Sequence, residues 1–207
     1  MKLVSEKSLF LFLISYLLSL CAAILWLNLA EPWQIFGDAV HYVSLYKGDL
    51  APAAWGYRIL TPYLASFFPW DVETNFAIVS INSLALTSGV LALYAKKTGL
   101  TTQSIVLLIS FWIISYPFIY YSSAIVRADP PMLLLLALIF LISKYSIHWF
   151  TLLMVILIGI LFHEKILFAI PILWMDKIFI GKLTGGTNYS YSQLSLITII
   201  SLIFLII

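Results

Sequence analysis

Apolar residues in this chain come in long unbroken runs, and short polar stretches separate them. After a polar start, Met1–Lys7, the run Ser8–Ala30 is almost continuously apolar. It is too long for the core of a signal peptide and long enough to cross a bilayer, so it reads as an uncleaved signal-anchor helix, segment 1. Six further segments follow. Segment 2 covers about Thr74–Ala95, segment 3 Ser104–Tyr121, segment 4 Pro131–Ser143, segment 5 Trp149–Phe162 and segment 6 Ile166–Trp174. Segment 7 runs from near Leu194 to Ile207. No alternation of polar and apolar residues suggests strands, and a helix satisfies its own backbone in lipid. The expected fold class is therefore all-α: a polytopic transmembrane bundle of about seven segments, forming one domain over residues 1–207.

Composition agrees with the pattern. Of the 207 residues 63% are apolar and only 10% charged, and the mean hydropathy is +1.06. A soluble fold carries about 25% charged residues. A net charge of +2 suggests no nucleic-acid partner. The single cysteine, Cys21, excludes an intrachain disulfide. Leu20 before it is too bulky for a lipoprotein cleavage box, so Cys21 reads as a packing or lipid-facing residue.

Charge also sets the orientation. With the N-terminus in the cytoplasm, Lys2, Lys7, Lys96, Lys97, Lys144, Lys177 and Lys182 fall inside, and Lys47, Arg58, Arg127 and Lys165 outside. The acids sort the other way: Glu31, Asp38, Asp49, Asp71, Glu73, Asp129 and Glu164 fall outside. Loop 31–73 is then extracytoplasmic and loop 175–192 cytoplasmic. One continuous helix over Trp149–Trp174 would reverse the position of Lys177 and Lys182. It would also bury His163-Glu164-Lys165 near the bilayer centre, at roughly 2.5–3.5 kcal/mol for each charge. A break at that cluster is preferred.

Segments 4 and 5 are each shorter than the roughly 20 residues that a straight span needs. They read as a hairpin of equal arms with its turn at Lys144–His148. Such arms return the chain to its starting depth, so Arg127-Ala128-Asp129 should meet His163-Glu164-Lys165. Loop 31–73 supplies a third face. A short helix from about Gly37 to Tyr46 sets Asp38, His41 and Tyr42 on one side. Thr61-Pro62 reads as an N-cap and first turn of a second helix, Pro62–Phe68. Trp33, Trp55 and Trp70 suit the headgroup zone.

These residues carry a resemblance. The Gly37-Asp38-Ala39 start of the first outer loop, the tyrosine behind it and Gly56-Tyr57-Arg58-Ile59-Leu60-Thr61-Pro62 resemble the integral-membrane (C-type) glycosyltransferase superfamily. So do Arg127-Ala128-Asp129 after segment 3 and the His-Glu-Lys cluster opening segment 6. The resemblance covers about residues 1–175. It implies an inverting transfer of a sugar from a polyprenyl-phosphate carrier to an acceptor hydroxyl on the outer face, the acceptor being a glycan, lipid or protein. Asp38 matches the general base, and Arg58, Arg127 and Lys165 match the cations that hold the donor phosphate. His41, Tyr42, Asp129, His163 and Glu164 complete the expected substrate-binding set. No cofactor is required by it, though His41, His163 and the acids could hold a divalent cation, as some members do. The chain stops within the apolar run Ser201–Ile207. It is shorter than those members, so a fragment, a truncated gene product or a degenerate relative is expected, in a prokaryotic plasma membrane.

Plainer readings stand beside these. Asp38 and Asp129 each sit where a helix cap is wanted. Arg58 could anchor the loop to lipid headgroups, and His163-Glu164-Lys165 could be a solvated turn. Tyr120 and Tyr121 read as ordinary interfacial aromatics. A transporter or flippase for a lipid-linked or anionic solute, or a non-catalytic subunit of a membrane complex, are the alternative functions.

Overall fold

The computed structural model describes residues 5–29, 38–49, 58–145, 147–180 and 189–206. Most of those residues are helical, with no strand among them. The long helices are α1 (Glu6–Leu29) and α4 (Val72–Lys97). Both are long and apolar enough to cross a membrane. Between them lie α2 (Asp38–Tyr46) and α3 (Leu60–Ser66). After α4 come α5 (Thr102–Ile113), α6 (Tyr116–Ser123), α7 (Asp129–Lys144) and α8 (Trp149–Phe162). A 3-10 turn (Glu164–Phe168), α9 (Ala169–Met175), a π turn (Asp176–Ile180) and α10 (Tyr191–Ile206) follow.

The middle of the fold is α4, 67% buried along its most apolar stretch against 17% for α1. Asp71 starts α4 by accepting from the Thr74 amide at 3.0 Å. Gly99, at φ +92°, lets the chain leave it. Along α1, Ser15, Ser19 and Ala23 recur every fourth residue as the buried stripe. Small side chains there admit close approach, and the Phe12 ring lies over Gly89, where a Cβ would come within 2.6 Å of it. The opposite face of α1, with Phe10, Leu17, Leu18 and Leu25, is bare. An apolar helix face of that size calls for apolar surroundings.

Segment 3 is not the single helix expected. It divides into α5 and α6, bent by 50°. Pro117 is the cause: it has no N–H, and its ring would meet the carbonyl four residues back, at Ile113, where α5 ends. If α5 and α6 count as one bent span, three spans among the described residues meet the length requirement. Thr61 is not the N-cap of the second loop helix either. That helix begins two residues earlier, at Leu60, with no side-chain cap. Thr61 lies inside the first turn, fully buried, with its hydroxyl unpartnered. Burial of Thr61, Pro62 and Ala65 decided the start rather than capping.

The hairpin forms as expected from α7 and α8, and the break after it is real. At His163 the backbone turns extended, at φ −167° and ψ 132°. Ile166 then packs back against Gly159 of α8, where an added Cβ would meet its Cγ1 at 2.6 Å. In one continuous helix these residues would stand about 10 Å apart along the axis, so the chain has reversed. Pro171 in the first turn of α9 forbids an α-type bond at its own nitrogen, and the 3-10 turn precedes it.

The reversal lays the stretch Glu164–Asp176 alongside α7, running in the same direction. Two ion pairs set the register. Asp129 meets Lys165 at 3.2 Å where both begin, and Lys144 meets Asp176 at 3.3 Å where both end. Their polarities are opposite, so a slip of one element along the other would break both. α10 closes the far side, with the Trp174 indole donating to Thr198 at 3.1 Å.

Candidate functional site

A cavity of about 300 Å³ opens at the Asp129 end of α7, lined by Arg58, Tyr120, Tyr121, Arg127, Asp129, His163 and Lys165. Three separate stretches of chain supply it, and each is held by identifiable contacts.

Arg58 enters from the segment before α3. Its Nε donates to Glu164 Oε2 at 2.9 Å and one terminal nitrogen to Oε1 at 2.5 Å, a two-pronged pair. The other terminal nitrogen donates to the Tyr42 hydroxyl at 3.3 Å. Tyr42 is itself only 1% exposed. It therefore stands behind Arg58 and fixes it rather than facing the cavity. α2 is held in turn by Asn75 of α4, which is fully buried. The Asn75 amide donates to Tyr46 Oη at 2.9 Å and reaches the Phe68 and Trp70 carbonyls at 2.8 and 3.1 Å.

Arg127 enters from the stretch between α6 and α7. Ser80 of α4 holds that stretch by donating to the Ile125 carbonyl at 2.6 Å. Val126 and Ala128 are fully buried, which turns Arg127 the other way, to the cavity. Arg127 donates to the Tyr120 hydroxyl at 3.1 Å, with its guanidinium carbon 5.9 Å from the ring centre. Asp129 does not cap α7, whose cap position, Ala128, makes no side-chain bond. Its carboxylate faces Lys165 at 3.2 Å and His163 Nε2 at 3.8 Å instead.

The reversal after α8 supplies His163, Glu164 and Lys165. His163 is 2% exposed. Burial, then the positive charge of Arg58, hold its pKa below the ordinary value, against the pull of Asp129 and Glu164. The ring is thus neutral with one proton. Its Nδ1 lies 2.9 Å from Glu164 Oε2 and 3.3 Å from the Lys165 amide, and only one of these contacts can be satisfied. The Lys165 amide donates to Nδ1, which also serves as the side-chain cap of the 3-10 turn, so Nδ1 is the acceptor. The single ring proton is then on Nε2, the nitrogen that faces the Asp129 carboxylate at 3.8 Å. Burial pushes the Glu164 pKa up, but the hydrogen bonds from Arg58, one from its own backbone and the nearby His163 and Arg58 charges together keep the carboxyl below the ordinary range. Burial likewise works against the charge on Arg58, and the bonds to Glu164 and Tyr42 more than restore it.

Counting formal charges, Arg58, Arg127 and Lys165 face Asp129 and Glu164, which leaves one positive charge in excess. Such a set suits an anion, and phosphate oxygens pair well with arginine forks. Among the described residues no group of three or more His, Cys, Asp and Glu side chains is arranged to hold a metal ion.

Of the residues singled out in the sequence, Arg58, Arg127, Asp129, His163 and Lys165 come together here, with Glu164 behind Arg58. His41 lies on α2, half-buried, and does not line the cavity. Asp38 opens α2 one turn before Tyr42, but its side chain lies outside what the structure describes. So do Gly37, Gly56, Tyr57 and the tryptophans at 33 and 55. Tyr120 and Tyr121, read above as ordinary interfacial aromatics, form part of the cavity wall. Their nearness to Arg127 in sequence was the available signal. No protein-family model, curated protein or solved structure matches the chain.

Proposed function

We propose that the chain is a membrane enzyme that transfers a sugar from a polyprenyl-phosphate carrier to an acceptor hydroxyl, with the Asp129 end of α7 on the extracytoplasmic side. One observation carries this reading: three cations from distant parts of the chain converge on one small polar cavity at one end of an otherwise apolar helical protein. An anion with an apolar tail is the ligand such a site fits. In the proposed topology the N-terminus is cytoplasmic, and the short helices α7 and α8 are arms that hold the cavity below the outer membrane surface. The protein is multi-pass, in a prokaryotic plasma membrane, and takes a glycan, lipid or protein as acceptor.

In this reading Arg58, Arg127 and Lys165 hold the donor phosphate and stabilise the charge that grows on it as the bond to the sugar breaks. Asp129 and Glu164 are counter-ions that fix Lys165 and Arg58. Asp38 takes the proton of the acceptor hydroxyl as that oxygen attacks the anomeric carbon from the opposite side. The products are the glycosylated acceptor and free polyprenyl phosphate. No divalent cation is needed for charge balance at a phosphodiester monoanion, since the cavity already carries one positive charge in excess.

The test is a transfer assay on purified protein with a set of polyprenyl-phosphate sugars, wild type against Asp38→Asn. The expected result is donor consumption by wild type and a fall of about 10²–10⁴ in turnover in the variant, with donor binding kept. Full activity in Asp38→Asn ends the role of that residue.

A further inference from the structure

A second cavity lies at the opposite end of α7. It has a volume of about 470 Å³ and opens between α4, α7 and α9. Its walls are apolar, with Leu91 and Tyr94 of α4, Ala137 and Phe140 of α7, and Leu173 of α9. The Tyr94 and Phe140 rings close one side, their centres 6.4 Å apart. At its mouth stands the Lys144–Asp176 pair, each side chain 15% exposed. From Ala137 to Lys144 the cleft extends about 10 Å along the helix.

We propose that this cleft seats a membrane phospholipid whose headgroup bears a primary amine, as in phosphatidylethanolamine, with one acyl chain along the apolar walls. The inference rests on the membrane reading of the protein and is independent of sugar transfer. The chemistry of the mouth selects the headgroup. Lys144 offers N–H donors to a phosphate, and Asp176 offers acceptor oxygens to an ammonium. A ligand with both a phosphate and an N–H cation exchanges the one contact between Lys144 and Asp176 for two charge-assisted ones, and adds no net charge. An anionic glycerol headgroup sets its phosphate against the Asp176 carboxylate with no cation to offer. A choline headgroup has a cation with no N–H to donate. Asp176 also begins the π turn, and such widened turns often mark functional positions.

The decisive comparison uses the wild-type protein. Detergent-purified and stripped of lipid, it is offered phospholipids of identical chains, and bound lipid is counted by native mass spectrometry. The headgroups are ethanolamine, its N-methyl and N,N-dimethyl forms, choline and glycerol. Retention should hold through the dimethyl form and fall roughly tenfold or more at choline, where the last N–H is lost. Glycerol should fall likewise. Ala137→Phe fills the cleft without touching the ion pair and should lower retention of every lipid. Asp176→Asn should erase the difference between ethanolamine and choline. Equal retention of choline and ethanolamine lipids by the wild type overturns the proposal, whatever the variants do. A protein that remains dispersed without detergent overturns the membrane reading as well.

Discussion

Glu164 accepts two hydrogen bonds from the guanidinium of Arg58, although 106 residues separate them. That pair ties the segment before α3 to the reversal after α8. Removing Glu164 leaves a largely buried guanidinium short of a partner, which costs more than the pair itself contributes. Glu164→Ala and Arg58→Ala should each lower stability by about 1–3 kcal/mol. The double variant should lose clearly less than the sum. Additive losses in thermal unfolding of the detergent-solubilised protein would show that the two side chains do not interact.

Acid should weaken the protein in two stages. His163 has its folded pKa below the ordinary 6.5, so the unfolded chain binds its proton first. Its contribution is present above that value and is lost as pH falls below about 6.5. Glu164 has its folded pKa below the ordinary 4.5. Its contribution is complete above that value and is lost at still lower pH. Melting temperature measured from pH 8 down to about 2.5 should begin to fall near 6.5 in the wild type, and to fall further below 4.5. His163→Gln should flatten the first stage and Glu164→Gln the second. A melting temperature rising between pH 6.5 and 5 would contradict the sign for His163.

Gly159 allows the reversal that presents Glu164 and Lys165. A Cβ there meets the branched Ile166 side chain, which cannot swing aside as a longer unbranched one would. Gly159→Ala should cost about 1–3 kcal/mol through overpacking. Ile166→Ala alone removes a fully buried side chain and should cost about 2–5 kcal/mol. The double variant should lose clearly less than the sum of the two, because the new methyl occupies space that the shorter side chain vacates. If the single variant is as stable as wild type, Ile166 does not lie against α8.

Asp71 and Thr98 cap opposite ends of α4. In the proposed topology the first faces outward and the second the cytoplasm. Cys21 is exposed and must first be replaced by alanine. In intact cells an impermeant thiol reagent should then label a cysteine at position 71 and not one at 98. The opposite result inverts the molecule.

The hairpin and its meeting of charges were legible because length alone governs them: two short arms of like length must bring their ends together, and Asp129 and Lys165 do meet. The break at His163 was legible from the cost of burying three polar residues in succession. The bend at Pro117 was missed because hydropathy hardly changes across it, while the proline acts on a backbone bond that hydropathy does not register. Thr61 misled because a good capping residue was already committed to the interior. Asn75 carried no signal: its value lies in reaching Tyr46, Phe68 and Trp70 at once, and that requires the fold. Tyr42 was placed among the ligand contacts, whereas burial sets it behind Arg58.

The central claim is that the cavity at the Asp129 end of α7 holds the phosphate of a polyprenyl carrier, and direct binding tests it. Titration of purified protein with polyprenyl phosphate should show a dissociation constant raised about 10- to 100-fold by Arg127→Ala, the loss of one charge-assisted contact, with unfolding temperature little changed. Unaltered affinity in both Arg127→Ala and Lys165→Ala would place the phosphate elsewhere and contradict the account.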